Sequence, residues 1–566
     1  MTDLATAPSD TESEAAGEPL HVRWLGRVPY DEAWSLQQAL VGGDRNHLLL
    51  LEHPPVFTLG RSGDPAHILV DPDEVGAIVR EVERGGDVTV HAPGQLVGYP
   101  ILTVPGRGGL AATAEFVTSL EQLLIDALAD LGLPGGERLD GYTGVWLEPG
   151  SAQERKIAAI GVRLKRRRSM HGFALNVDVD PVWFDRIVPC GISDKAVTSL
   201  RAEGIEASMR DVVDAVVARA EGRWGTGELD RADVAWKHRA EDLSAFSRGL
   251  GPGDTPRPEQ STGTPVRLLG RLAEAGVDEG LDAGARKPDW MRVKANLGPE
   301  YTRLKGIMRE LDLVTVCEEA GCPNIFECWA DGTATFMING ERCTRACGFC
   351  LVDTRKPEPL DPDEPRRVAD AVDRLELDYA VITTVARDDL DDHGASGFVD
   401  TIEAIRRVRP ACRVEFLISD CKGDAEALDA IFATRPDVLN HNIESVARLQ
   451  RAVRPSAGYA RSLAVLARAK AAGLTTKSSI IVGMGESFDE LAGCLADLAA
   501  LGTDIVTIGQ YLRPTTNHLP IHRWVPPHEF DRLKALGESM GIGHVEASPL
   551  TRSSYHARQA EEAASR

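Results

Sequence analysis

Cys343, Cys347 and Cys350 stand close together in the spacing C-x3-C-x2-C. Three thiolates within eight residues can each hold one iron of a [4Fe–4S] cube. The fourth iron is then open to a small chelating ligand. Zinc is the competing reading, but a structural zinc site ordinarily takes four protein ligands. No fourth cysteine or histidine follows nearby, the next histidine being His393. A second triad lies just upstream, Cys317-x4-Cys322-x5-Cys328. Its spacing alone is weakly specific; beside the first triad it points to a second cluster. Six of the ten cysteines thus fall between 317 and 350, a pattern of metal or cluster binding rather than of a disulfide framework. Cys190 is the only cysteine before residue 317. A lone cysteine is either a buried small side chain or a nucleophile.

The elements that must position these groups can be read from periodicity. In the second half, apolar runs at 334–338, 379–385, 413–418, 437–443, 478–483 and 504–512 alternate with helical patterns. Six strands alternating with helices predict βα units around a parallel sheet, with a site at the C-terminal ends of the strands. In the first half, His47–Leu51 reads as a buried strand ending at Pro54 and Pro55. Leu120, Leu123, Leu124, Ala127, Leu128 and Leu131 form a helix stripe stopped by Gly132. The fold class is α/β. Residues 250–265 hold three Gly and four Pro in sixteen positions and read as linker. The expected organisation is an acidic disordered tail over 1–19, a first domain over 20–235, a linker over 236–285, a second domain over 286–560 and a short tail over 561–566.

The chain has 566 residues, of which 43% are hydrophobic and 26% charged, which excludes a wholly disordered or fibrous protein. Its formal net charge of −23 disfavours general binding to nucleic acid or anionic membranes. No apolar stretch approaches the roughly 18 residues of a membrane span. The first nineteen residues carry five acids, no base and no apolar core, so they are not a secretory signal. The expected location is the cytoplasm. Cys412, Cys421 and Cys494 have no partner spacing, and Cys494 falls on the face of Leu491, Leu495 and Leu498, a core position.

The C-x3-C-x2-C motif resembles the signature of radical S-adenosylmethionine enzymes, whose fold is a partial βα barrel. The segments CEEAGCPNIFEC, GTATFMI, CTRACGFC, RDDL, NHNIE, VRP, TKSS, VGMGE, TIGQYLRP and RSSYHA, in that order from about 287 to 557, resemble the lipoyl synthase family. That resemblance implies insertion of two sulfur atoms at C6 and C8 of a protein-bound octanoyl chain. The C–H bonds there are unactivated, so a carbon radical must be made. It implies two [4Fe–4S] clusters and S-adenosyl-L-methionine. Cys343, Cys347 and Cys350 would hold the cluster that cleaves S-adenosylmethionine; Cys317, Cys322, Cys328 and, by position in RSSY, Ser554 would hold an auxiliary cluster that gives up its sulfur. Ser553 is the alternative to Ser554. Gly483, Gly485 and Glu486 read by themselves as a strand-to-helix turn; the resemblance puts the cofactor's amino acid part near them and near Asn442. Two departures from the family pattern are Ala386, where Asp is common, and His393, where Gly is frequent.

Around Cys190 lie RGGDVTVHAPGQLVGYPI (84–101), RKIAAIGVRL (155–164) and MHGFALNV (170–177). With IVPCGI they resemble octanoyl-carrier-protein:protein octanoyltransferase, whose fold is shared with lipoate and biotin protein ligases. The resemblance covers about 22–200. It implies that Cys190 attacks the thioester of the carrier and becomes an acyl-enzyme, with Lys156 as its basic partner. Such a lysine must be partly desolvated or near another cation to titrate near neutrality. The substrate-lining segments would be Arg84, Gly85, Gly86, Asp87, Val88, Thr89, Val90 and His91, then Ala159, Ile160 and Gly161, then Gly172, Phe173 and Ala174. Ala92 replaces a usual Gly and would be strained if its φ were positive. Lys165–Arg168 is a basic run in an acidic chain, either a solvated hairpin tip or a dock for an acidic carrier protein.

Together the resemblances imply a fusion performing both steps of protein lipoylation. Octanoyl-acyl carrier protein would be the donor. Lipoyl domains of 2-oxoacid dehydrogenase complexes and the glycine cleavage H protein would be acceptors, and a flavodoxin or ferredoxin would supply electrons. Neither nucleic acid nor membrane is expected as a partner. The alternatives are an ATP-dependent lipoate or biotin ligase as the first domain, and an inactive metal-binding scaffold.

Overall fold

A computed structural model describes residues 19–104, 110–188, 195–225, 229–236, 266–282, 284–291, 306–311, 313, 324, 328 and 333–564. Cys190, Cys317 and Cys322 lie outside the described residues. The chain divides into two compact units, one built mainly of Phe57–Arg231 and the other mainly of Ala232–Arg566. Among the described residues no helix is long and apolar enough to cross a membrane.

The first half carries β1 (Leu20–Arg27), β2 (Asn46–Glu52), β3 (Val56–Leu59), β4 (Ile78–Glu81), β5 (Val88–His91), β6 (Gln95–Ile101), β7 (Gly136–Leu139), β8 (Tyr142–Leu147), β9 (Arg155–Lys165), β10 (Arg168–Asn176), β11 (Ala196–Val197) and β12 (Leu229–Asp233). One sheet runs β12-β1-β2-β6-β10-β9-β8-β7, with β11 beside β9; a second runs β4-β3-β5. The helix Leu110–Asp130 buries the expected stripe from Leu120 to Leu128, and the chain turns at Gly132, where φ is +89°. β9 and β10 form a hairpin in which Lys165 pairs with Arg168. Arg166 and Arg167 both take positive φ between them, the two-residue turn whose twist suits a hairpin. The basic run is therefore split. Lys165, Arg166 and Arg167 are exposed at the tip, while Arg168 turns inward and donates to Asp44 O, Asn46 Oδ1 and Thr103 Oγ1.

The second half contains seven parallel strands in chain order: β13 (Thr333–Ile338), β14 (Tyr379–Thr384), β15 (Arg413–Leu417), β16 (Val438–Asn440), β17 (Thr476–Val482), β18 (Ile505–Gln510) and β19 (His544–Ser548). At least one helix stands in every gap between them, as parallel pairing requires. The two-residue period of the strands sorts their side chains. Ala334, Phe336, Ile338, Ala380, Ile382, Val414 and Phe416 pack outward against helix residues such as Val368, Phe398 and Ile402. Thr335, Met337, Thr383, Leu417, Ser479, Ile481 and Gly509 line a single cavity on the opposite face, so the sheet wraps around it.

Three details differ from the expectation. The seventh strand, HVEAS, is an addition to the expected six: it alternates polar and apolar residues, but only Val545 is fully buried, and its apolar face is completed by the small Ala547. β16 stops at Asn440 rather than running to 443, because the chain then turns inward, with Glu444 at φ 66°. The expected linker contains a helix, Val266–Glu274, whose Leu268 and Leu272 are buried together with the following Ala275 and Val277.

Phe416 is fully buried, with its ring centroid 4.7 Å from that of Phe398 on the helix Ala395–Val408. Phe416→Ala is expected to cost about 3–5 kcal/mol. Denaturant unfolding of the variant beside the parent chain measures it, and a loss under about 1 kcal/mol would mean that this layer repacks.

Candidate active sites

The cavity inside β13–β19 has a volume of about 290 Å³ and opens among the loops after the strands. Its wall brings together residues far apart in sequence: Cys328, Cys350, Asn442, Glu444 and Ser554. Of the expected auxiliary ligands, Cys328 and Ser554 thus share one wall. Ser553 also lines the cavity, but its hydroxyl accepts from Asn440 Nδ2 at 3.1 Å and donates to Asn442 Oδ1 at 3.2 Å.

Cys343, Cys347 and Cys350 are free, half-buried thiols on the loop that follows β13. Burial pushes Cys343 up, Cys347 up to about 11 and Cys350 up to about 12. The mutual repulsion of the thiolates adds to this for Cys347 and Cys350. Backbone amides work the other way at Cys343, where Arg345 N donates to Sγ at 3.4 Å and Ala386 N at 3.3 Å. Such groups hold their protons at neutral pH until a metal displaces them. Among the described residues no three such side chains close on a single ion. A cube asks instead for one thiolate per iron, and this loop supplies three sulfurs with amide donors at hand. The donor set fits an iron–sulfur cluster.

The loop is pinned by Arg345, between two of the cysteines. Its guanidinium meets Asp388 through Nε and Nη2, both at 2.8 Å, and Asp420 at 2.6 Å. Asp388 follows β14 and Asp420 follows β15. Burial works to raise the Asp420 carboxyl, but the charge of Arg345 carries it down to about 2. After Asp420 the backbone is left-handed at Cys421 and Lys422, with φ 43° and 51°. Each such residue costs roughly 1–2 kcal/mol, strain that the neighbouring ion pairs hold in place. Sequence reasoning passed over Arg345, Asp388 and Asp420. The available signal was an arginine set between two ligand-type cysteines.

The two departures from the family pattern have structural answers. Ala386 is used through its backbone: its N–H reaches Cys343, and its carbonyl accepts from Thr344 N and Oγ1, both at 2.9 Å. A side-chain change there leaves those bonds intact. His393 has φ 54°, so the position does favour glycine, and the histidine bears the strain. Gly483 and Gly485, with φ 99° and 118°, form a turn that Glu486 closes by accepting from Gly483 N and from Met484 N at 2.9 Å. Of the four expected cofactor contacts, only Asn442 lines the cavity. The other three form the turn that follows β17.

In the first unit the expected pocket segments meet through strand register. Ala159, Ile160 and Gly161 on β9 pair with Ala174, Phe173 and Gly172 on β10. Lys156 lies two residues into β9, 9% exposed, with Nζ 4.6 Å above the Trp146 ring. Lys195 Nζ is 5.8 Å from the same ring and is ion-paired with Glu154. β11, which follows the segment containing Cys190, runs parallel to β9 and pairs Val197 with Lys156. Gly85 and Gly86 sit beside this sheet, where Gly85 N donates to Val162 O. Other expected pocket residues also make contacts within the fold. Val88 and Val90 are buried with Phe57 and Ile187, leaving Thr89 and His91 for the other face of β5. Arg84 donates to Thr58 O at 2.7 Å, and Asp87 binds His67 and Asp64 N. His91 is buried against Gln95. Ala92 carries no positive φ; that conformation falls on Gly94, so the Ala92 strain does not arise.

Comparison with known sequences matches residues 29–221 to the lipoyl protein ligase A/B catalytic domain. Residues 275–322 match the N-terminal domain of lipoyl synthase, and 337–498 the radical SAM superfamily. A lipoyl synthase of Nocardia farcinica is 50% identical over 305 residues, which cover 54% of this chain and 86% of that protein. One from Mycolicibacterium smegmatis is 53% identical over 292 residues, covering 52% of this chain and 91% of that one. A bipartite lipoate protein ligase from Thermoplasma acidophilum is a weak structural likeness over 40% of this chain and 91% of its own, at 16% identity and a TM-score of 0.32. The chain belongs to the lipoyl synthase family of radical SAM enzymes, and carries ahead of that region a catalytic domain of the lipoyl protein ligase A/B type.

Proposed function

We propose that this chain performs both steps of protein lipoylation: it loads octanoyl onto a lysine of a lipoyl domain and then inserts two sulfur atoms at C6 and C8. The observation that carries the second step is the cavity, whose single wall holds Cys350 from one triad, Cys328 from the other, and Ser554. Cys343, Cys347 and Cys350 would hold the cluster that binds S-adenosylmethionine. Cys317, Cys322, Cys328 and Ser554 would hold the auxiliary one. Bound there, the two clusters and S-adenosylmethionine would supply the hydrogen-abstracting radical and the sulfur. The residues of the chain do the rest. Met337, Leu417, Ile481 and Leu512 give the cavity an apolar wall that suits an octanoyl chain and excludes water from it. Ser554 is the better ligand candidate, because the Ser553 hydroxyl is already used as both donor and acceptor.

For the first step, the thiolate of Cys190 attacks the carrier's thioester, and the carrier thiol leaves with a proton. The acceptor lysine amine then attacks the acyl-enzyme, an amide forms, and the Cys190 thiolate departs. Protonated Lys156 gives its proton to the departing carrier thiol in the first half and takes one from the attacking amine in the second, which restores the starting thiolate and ammonium. The buried position of Lys156, against the Trp146 ring, supports that role. Octanoyl-acyl carrier protein is the proposed donor. Lipoyl domains of 2-oxoacid dehydrogenases and glycine cleavage H protein are the proposed acceptors, and a flavodoxin or ferredoxin is the reductant.

Incubated anaerobically with octanoyl-carrier protein, S-adenosylmethionine and a reductant, the chain should shift an unmodified lipoyl domain first by octanoyl and then by two sulfurs. Intact mass follows both, and no shift from chain whose clusters are intact would sink the reading. Cys190→Ser should lower transfer from the carrier roughly 10³-fold or more. An ATP-dependent ligase would be nearly indifferent to it, so this variant separates the two reactions. Lys156→Ala should lower transfer about 10²–10⁴-fold, measured as single-turnover acylation; an unchanged rate removes its proton role.

A further inference from the structure

Glu415 on β15 and Lys477 on β17 are both fully buried on the cavity side of the sheet, and Lys477 Nζ lies 3.0 Å from each carboxylate oxygen. A buried pair of this kind recovers its desolvation cost only if its remaining hydrogen-bonding capacity is also met. Tyr379 OH donates to Glu415 Oε2 at 3.1 Å, and Asn440 Nδ2 donates to Oε1 at 2.8 Å. A carboxylate only accepts, so the Asn440 amide must turn its nitrogen to it. The second N–H of that nitrogen points to Ser553 Oγ at 3.1 Å. Having accepted there, the Ser553 hydroxyl donates to Asn442 Oδ1 at 3.2 Å, and Asn442 Nδ2 donates to Glu444 Oε1 at 3.0 Å. Asn440 thus donates both ways, inward to the carboxylate of the ion pair and outward to Ser553, and from Ser553 the donors run on through Asn442 to Glu444 on the cavity wall. A second contact brings the same segment close. Gly509 on β18 leaves room for Thr551, since a Cβ there would stand 1.9 Å from Thr551 O.

We propose that Asn440, held by the Glu415–Lys477 pair, is a positioning residue that fixes Ser553 and thereby presents the adjacent Ser554 to the auxiliary cluster. The proposal rests on the reading of Ser554 as a ligand. Neither Asn440 nor Ser553 need touch iron. Their hydrogen bond removes the freedom of the 551–555 segment, so the neighbouring hydroxyl meets the metal without an ordering cost. Asn440 is fully buried, and its Oδ1 has no hydrogen-bond partner among the described residues. An unmet acceptor inside a sheet is tolerable where the amide's other end holds something in register.

The test uses the full chain, reconstituted anaerobically with iron and sulfide, and follows the loss of iron to a chelator by Mössbauer spectroscopy. Signal that shifts on adding S-adenosylmethionine reports the Cys343–Cys350 cluster; signal that does not shift reports the auxiliary one. Asn440→Ala and Ser553→Ala should each speed auxiliary iron loss about 10–100-fold, approaching Ser554→Ala, with the shifting signal unchanged. Ser553→Thr keeps a hydroxyl and should restore the parent rate. If Ser554→Ala is labile while Asn440→Ala and Ser553→Ala match the parent, the positioning role is wrong. If Ser554→Ala itself matches the parent, the ligand reading fails, and the inference falls with it. Lys477→Met gives a second arm if Asn440→Ala does not fold, and parental stability of its auxiliary cluster would likewise overturn the role of the pair.

Discussion

A buried guanidinium holds three loops of the second unit together. Arg345 leaves β13 between two cysteines and meets Asp388 from the loop after β14 and Asp420 from the loop after β15. Thiols crowded on one loop repel one another as they ionise, and burial works against the thiolates as well. Such a loop does not hold its cysteines toward one space unaided. The ion pairs tie it to neighbouring strands, and amide N–H groups from Arg345 and Ala386 already face Cys343. The left-handed backbone at Cys421 and Lys422 is part of the same arrangement, since it lets the chain turn straight after placing Asp420.

The interior of the sheet obeys a different rule from its exterior. Outward side chains are apolar and meet helices. Inward ones include Glu415, Asn440 and Lys477, all completely shielded from water. Hydrophobic residues of similar size would pack there at less cost. A polar interior is worth keeping where it gives directional hydrogen bonds, and here those bonds end at the RSSY segment and at Asn442 and Glu444 on the cavity wall. The apolar part of the same cavity is left to Met337, Leu417 and Ile481. One space therefore offers both a charged, hydrogen-bonding end and an acyl-compatible wall.

In the first unit, strand register brings the expected pocket segments together. The segments 159–161 and 172–174, separated by ten residues of one hairpin, lie directly opposite each other on β9 and β10. Their pairing places Gly161 against Gly172, and the β11 strand returns to Lys156 from the segment that contains Cys190. The product expected of this unit is the substrate expected of the other, which gives a chemical reason for joining them in one chain.

Sequence alone was enough for the cysteine spacing, the α/β class, the long helix ending at Gly132 and six of the seven parallel strands, because local periodicity and ligand spacing are short-range properties. It also marked RSSY and the Cys190 segment by resemblance. It did not reveal HVEAS as a strand, since its apolar face consists only of Val545 and the small Ala547. Nor could it tell that Val88 and Val90, and not Thr89 and His91, join the Phe57 and Ile187 cluster, because that depends on which face of β5 meets it. Arg345, Asp420, Glu415, Asn440 and Lys477 look like ordinary surface charges or polar residues in the text. Only the tertiary structure brings them together, since each partner sits on a different strand or loop. A buried charge takes its meaning from the opposite charge that long-range folding brings beside it.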